Sequence, residues 1–218
     1  MFLGESTLHP NLPKYISDIK QQVQYVFLST NGIEISKQYV NELLKSGLNS
    51  LKWSVNYCNS AQFQHITRRK CELFYSLLDI IKYAFAARKL LSSNTKLYAS
   101  YVYDDIVNDE TLQFMKEKIV PFVDEVVYNK KTNHAGLLDG KQCSFVADGK
   151  IPCPRLFNTA YIRSNLDVVC CCNGYTEDFI VGSLHDNTLR KIWNNDKMQK
   201  LRMMHIRNCI EKCVCANN

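Results

Sequence analysis

The sequence predicts an α/β protein: a parallel sheet covered by helices, then a smaller, cysteine-rich α+β region. Three observations carry this reading. Apolar β-rich runs alternate with segments of helical period through the first 130 residues, the pattern of βαβ units. That periodicity dissolves into Gly, Asn, Asp and Lys around residues 129–152, as a linker would. Eight of the ten cysteines lie beyond residue 140.

The elements follow in order. Residues 13–22 (PKYISDIKQQ) predict a short amphipathic helix with Tyr15, Ile16 and Ile19 on one side. Residues 23–32 (VQYVFLSTNG) form an apolar run closed by Asn-Gly, the pattern of a strand buried on both faces. In 36–47, Tyr39, Val40, Leu43 and Leu44 recur at helical spacing before a capping Gly47. A strand over 51–57 and a long, broadly apolar helix over 71–91 come next. The last pair of units is a strand over 96–103, a helix over 109–122 capped by Asp109, and a strand over 123–129. Right-handed crossovers would wind these units into a barrel or an open sheet. The opening MFLGE reads as the tail of a strand. Beyond the linker, a short β unit (159–172), a turn at Gly174, a strand near Ile180 and Val181, and a helix over 187–206 are expected. That helix would start from Asp186 or Asn187, with Leu189, Ile192, Trp193 and Leu201 on its apolar side.

Composition narrows the function classes. With 46% hydrophobic and 22% charged residues in 218, the chain is an ordinary globular sequence able to bury a large core. Its net charge of +6 is scattered, with no run of five like charges, so no nucleic-acid partner is expected. No apolar run approaches the ~20 residues of a membrane span, and the start lacks a signal peptide's basic and apolar regions. The expectation is therefore a cytoplasmic chain, away from membranes, whose thiols serve metals or catalysis rather than disulfides.

The cysteines sharpen this. Cys153, the triplet Cys170–Cys172, and Cys209, Cys213 and Cys215 supply enough thiolates for a zinc site or an iron–sulfur cluster. On a strand, alternation turns Cys171 away from Cys170 and Cys172, so one metal cannot collect all three unless the strand turns there. A site built from Cys153, one triplet member and two terminal cysteines fits the spacing. Cys58, Cys71 and Cys170 are read as core, because free cysteine packs as a small apolar residue. Cys143 falls in the linker and takes no role. Trp193, His134 and His205 are read as packing or surface residues. Spacing alone does not separate zinc from iron–sulfur.

Both ends resemble radical SAM enzymes that carry a C-terminal SPASM or twitch domain. The first end does so through GESTLHPNLPKYI, LSTNG and LLKSGLNSLKWSVN. The second does so through CPRLFNTAYIRSNLDVVCCCNGY, VGSLHDNTLRKIWNNDKMQKLRMMHIR and the closing cysteines. The resemblance implies a partial (βα) radical-SAM-type barrel over 1–130, a linker over 131–152 and a SPASM/twitch domain over 153–218. Gly4 and Glu5 match the motif whose glutamate contacts the amino group of S-adenosylmethionine, and Ser54 matches the strand position near its ribose and carboxylate. Cys153 matches the first ligand of an auxiliary 4Fe–4S cluster, Cys171 the second, and Cys172 its variable neighbour. Cys213 and Cys215 approximate the closing pair, with Cys209 as substitute. Local departures are Ser6 for the motif proline, Leu166 for a turn glycine and Cys170 for a proline.

The family's cofactor-cleaving Cys-x3-Cys-x2-Cys loop precedes the point where this sequence begins. The chain by itself is therefore expected to be inactive and to expose an unpaired strand edge, with either poor solubility or a partner covering that edge. When complete, such a protein would use radicals derived from S-adenosylmethionine to modify a peptide or small molecule. An N-terminal fragment or an electron donor would be its partner. The alternatives are a non-catalytic iron–sulfur module, relic or partner subunit, and a four-cysteine zinc module.

Overall fold

In a computed structural model, the described residues are 4–131, 152–174 and 176–207. They fall into two units, residues 4–131 and the described residues from 152 onward.

The first unit is a four-stranded parallel sheet with helices on one face. A 3₁₀ turn (Ser6–Leu8) precedes α1 (Leu12–Lys20), β1 (Phe27–Thr30), α2 (Lys37–Lys45), β2 (Ser50–Ser54) and α3 (Ser60–Thr67). Then come α4 (Glu72–Leu90), β3 (Lys96–Tyr103), α5 (Asp109–Phe114) and β4 (Glu125–Lys130). The strand order is β1-β2-β3-β4, with Leu28 opposite Leu51 and Leu51 opposite Leu97. Period two sends Leu28, Leu51, Trp53, Val55, Leu97 and Ala99 to the helix-covered face, where each is buried. The helices answer with Val40, Leu43 and Leu44 from α2 and Leu77, Ile81 and Ala84 from α4.

Local chemistry sets the ends of these helices. The Ser36 hydroxyl accepts from the Tyr39 N–H and starts α2, and Gly47, at φ +82°, follows its end. Gly32 is also left-handed, and a Cβ there would meet Leu77 Cδ1 at 2.5 Å and Trp53 Cε3 at 3.0 Å. The TNG turn thus needs glycine on both counts.

Several expectations change. In α1 only Pro13 and Ile16 are buried, whereas Tyr15 and Ile19 are exposed. The run at 23–32 forms a strand of only four residues, in which Leu28, Ser29 and Thr30 are buried and Phe27 is half exposed. A helix the sequence hid, α3, buries a single side chain, Phe63, against Tyr57 at 4.7 Å. Asn108, not Asp109, caps α5 through the Thr111 N–H. The helix expected over 109–122 breaks into α5, a π turn (Met115–Ile119) and a 3₁₀ turn (Val120–Phe122). Pro121 at the start of that last turn removes a helical donor. Among the described residues, β1 and β4 each pair on one side only.

The second unit has its own core. It comprises α6 (Arg155–Asn158), β5 (Tyr161–Ile162), β6 (Asp167–Val169), β7 (Ile180–Ser183), α7 (Leu189–Trp193) and α8 (Asp196–Ile206). The sheet is antiparallel in the order β5-β6-β7. The single helix expected over 187–206 is two, because Asn194 leaves the helical path and the Asn195 side chain caps α8 through the Met198 N–H. Thr188, rather than Asn187 or Asp186, caps α7. Leu156, Val169, Phe179, Val181, Ile192 and Leu201 meet in the core.

Candidate functional site

Two groups of sequence-predicted residues come into view, one in each unit. In the first unit they gather at the carboxyl ends of the strands, where open and closed α/β sheets bind their ligands. Gly4, at φ +131°, leads into Glu5. The Glu5 carboxylate accepts from the Thr7 N–H (3.1 Å), the Thr7 hydroxyl (2.7 Å) and the Asn31 N–H (2.7 Å). Thr7 and Thr30 also touch through their hydroxyls at 3.2 Å. Glu5 is thereby pinned to the end of β1. A carboxylate has about four acceptor positions, so lone pairs remain for an ammonium group. Ser54 ends β2, 3.4 Å from the Ser29 hydroxyl and in register with Ser100. A fixed carboxylate and a strand-end hydroxyl are suitable groups for the amino and ribose ends of S-adenosylmethionine.

The sheet face opposite the helices is polar, and the sequence did not reveal this. Lys52 stands there between Ser29 and Tyr98 in register, its ammonium 5.6 Å from the Phe27 ring centre. Burial lowers its pKa below the ordinary lysine value.

In the second unit the cysteine triplet divides. A β-bulge shifts the β6–β7 register at Val168/Val169, so Val168, Val169 and Cys170 are all buried in succession. The Cys170 N–H donates to the Phe179 carbonyl at 3.1 Å. The strand then ends in a turn closed by the Gly174 N–H on the Cys171 carbonyl at 3.0 Å. Gly174 is required there: a Cβ would lie 2.9 Å from Phe179 Cβ and 3.0 Å from the Cys171 oxygen. Arg163 braces the turn from outside, donating to the Gly174 and Thr176 carbonyls.

Strand alternation was expected to part Cys171 from Cys172, but both lie where the strand gives way to the turn. The neighbouring Cys171 thiol, with burial next, raises the Cys172 pKa above the usual thiol range, while Arg155 opposes the rise. Cys171 Sγ also accepts from the Asn173 N–H at 3.4 Å, and Cys172 Sγ accepts from Arg155 Nη1 at 3.2 Å. Cys153 lies two residues before Arg155. Its N–H donates to His205 Nδ1 at 3.4 Å, which ties α8 to the start of the unit.

His205 is buried, in keeping with its reading as a packing residue. Cys58 and Cys170 are buried, and Cys71 is half-buried at the start of α4. Trp193 is partly buried, under the Arg202 guanidinium at 4.2 Å from its ring centre. Arg202 donates to the Leu156 and Trp193 carbonyls.

The described residues supply a soft-metal donor set only in part. Among them no three Cys, His, Asp or Glu side chains form a metal site. Cys209, Cys213 and Cys215, named as closing ligands, lie outside the described residues, as do Cys143 and His134. The donor chemistry fits an iron–sulfur cluster all the same: paired thiols, an N–H and a guanidinium directed at sulfur, and further cysteines following α8 in the sequence. Sequence reasoning quoted Arg155 within Cys-Pro-Arg but gave it no role. A cation two residues after a candidate ligand was the available signal.

Comparison with known proteins bears on the second unit and on the fold. Residues 153–216 match the family model of SPASM, an iron-sulfur cluster-binding domain. No curated protein matches. The fold resembles BtrN solved with AdoMet and 2-DOIA, at 17% identity and a TM-score of 0.58, over 100% of this chain and 69% of that one. It also resembles Streptococcus suis SuiB bound to S-adenosylmethionine, at 13% identity and a TM-score of 0.63, over 98% of this chain and 58% of that one. A third similar structure is anSMEcpe with bound AdoMet and a Cp18Cys peptide, at 13% identity and a TM-score of 0.57, over 97% and 71% of the two chains. The chain thus carries a SPASM domain on an α/β fold shared with these proteins, as the radical SAM/SPASM resemblance implied. It spans little more than half the length of SuiB. No helix among the described residues is long and apolar enough to cross a membrane.

Proposed function

We propose that this chain is the C-terminal part of a radical SAM/SPASM protein and holds an auxiliary 4Fe–4S cluster. Cys153 and Cys171 are its candidate ligands among the described residues, with Cys172 as the alternative to Cys171, and two of Cys209, Cys213 and Cys215 would supply the rest. The observation that carries this reading is the glycine-closed turn that presents Cys171 and Cys172, inside the residues that match the SPASM model. In the complete protein, Glu5 would take the amino group of S-adenosylmethionine and Ser54 its ribose or carboxylate side. The bound cofactor and clusters would supply radical hydrogen abstraction from a peptide or small-molecule substrate.

The roles of this chain's own residues are positioning ones. Thr7 and the Asn31 N–H hold the Glu5 carboxylate at the strand ends, and the Gly174 turn presents the two thiols. The core around Val169, Phe179 and Leu201 shields one side of that turn from water.

Anaerobic reconstitution with iron and sulfide, followed by metal analysis, tests the cluster assignment. Iron and sulfide retained in equal amounts support it. Zinc retained without iron favours the four-cysteine zinc module instead. Binding of S-adenosylmethionine that is weakened by Glu5→Gln supports the first site, and equal binding by both proteins contradicts it.

A further inference from the structure

We propose that Arg155 sets the reduction potential of the auxiliary cluster by donating a charge-assisted hydrogen bond to Cys172, which thereby acts as a cluster ligand. This inference rests on the iron–sulfur reading above and adds a positioning residue to it.

The geometry is specific. Arg155 Nη1 lies 3.2 Å from Cys172 Sγ, well inside the range for a donor to sulfur. The side chain is fixed at its base, because Arg155 opens α6 and its carbonyl accepts from the Thr159 N–H. Among the described residues Arg155 has no carboxylate partner, although both acids and bases abound on the surface. A guanidinium that meets a sulfur and no carboxylate is placed for a negative sulfur.

The two neighbouring thiols are not equivalent in this respect. Cys171 accepts from a neutral backbone donor, the Asn173 N–H. Cys172 receives a full positive charge. A cluster held by four thiolates is an anion in both oxidation states and gains one further negative charge on reduction. A cationic donor on a ligand sulfur therefore stabilises the reduced form more than the oxidised one, and the potential rises. The reduction is a one-electron uptake from an external low-potential reductant, with no bond made or broken in the protein.

Sequence reasoning placed Cys171 as the ligand and Cys172 as its variable neighbour. The Arg155 contact moves Cys172 to a ligand in its own right. It also gives the arginine of the Cys-Pro-Arg stretch a role that packing does not require, since the guanidinium is turned toward a thiol rather than into the core.

The test is a redox titration of the reconstituted 218-residue chain, followed by the electron paramagnetic resonance signal of the reduced cluster. Arg155→Gln should retain the iron and sulfide of the parent and lower the ratio of reduced to oxidised cluster at a fixed potential by about tenfold. Arg155→Lys should recover part of that loss, since it keeps the charge but not the planar fork. Cys172→Ser, which removes the proposed ligand, should retain neither iron nor sulfide. An unchanged potential in Arg155→Gln at full iron content would overturn the inference while leaving the cluster reading intact. So would a Cys172→Ser protein that keeps its iron and sulfide and still shifts its potential on Arg155→Gln. A parent protein that takes up no iron would instead overturn the cluster reading itself.

Discussion

The two units of this chain hold themselves together by different means. In residues 4–131, 25 buried apolar side chains form one core between a parallel sheet and its helices. Such a core can sustain a fold by burial alone. In the second unit the described core has nine side chains, one of them a cysteine. Small units of this kind generally need a staple, and thiol–metal bonds are the usual one inside cells. The same contrast extends to function. The first unit presents polar groups on rigid strand ends, whereas the second presents sulfur on a turn held by a bulge, a glycine and an arginine.

Removal of iron should separate the two units most sharply. Chelation, or Cys171→Ser, should abolish the cooperative melting of the second unit and leave that of the first in place, as followed by circular dichroism and hydrogen exchange. Binding energies of structural metals in small domains run to about 10 kcal/mol or more, well above any single packing contact. The reverse experiment attacks the first unit. Leu51 is fully buried between Leu28 and Leu97, so Leu51→Ala should cost about 2–5 kcal/mol in urea denaturation. The visible spectrum of the cluster should remain. Loss of the cluster in that variant would show that the second unit depends on the core of the first.

A smaller effect comes from Asp124. Its Oδ2 accepts from the Leu97 N–H at 2.7 Å and pairs with Arg88, joining α4, β3 and the approach to β4. Burial works to raise the Asp124 pKa, but the Arg88 hydrogen bond, the Leu97 N–H and nearby positive charge outweigh it and hold it below the ordinary value. The folded carboxyl therefore binds its proton less readily than the unfolded one. Its contribution is complete above the unfolded value of about 3.9 and is lost as pH falls through the lower folded value. Asp124→Asn should cost about 1–3 kcal/mol at neutral pH and flatten the acid limb of the stability curve for the first unit.

The smallest expected change is a gain. Leu166 sits at φ +64° and is 40% exposed, so Leu166→Gly relieves left-handed strain while uncovering little apolar surface. A stabilisation of about 1 kcal/mol should appear in the second unit alone.

How much of this was legible in the sequence follows the same division. The strand over 96–103 matches β3 residue for residue, and the long helix over 71–91 matches α4 closely, because each has a strong period and clear ends. Helix α3 was hidden, since only Phe63 of its eight residues is buried and its cap, Asn59, precedes no apolar stripe. The split between α7 and α8 depends on the Asn195 cap, which a continuous helical pattern conceals. At the candidate sites, residue types were readable but geometry was not. Alternation failed at the triplet because a bulge, invisible in the sequence, changes the register just before it. Leu166 behaved as its departure from glycine implied: it occupies the left-handed turn and bears the strain.

The central claim is that the sulfur of the second unit holds an iron–sulfur cluster through the turn at Cys171. Metal and sulfide analysis of the anaerobically purified chain tests it most directly, alongside Cys171→Ser and Cys170→Ala. The parent and Cys170→Ala should each retain about four iron and four sulfide per chain, and Cys171→Ser should retain neither. Zinc in place of iron, or a Cys170→Ala protein that loses its cluster while Cys171→Ser keeps it, would contradict the account.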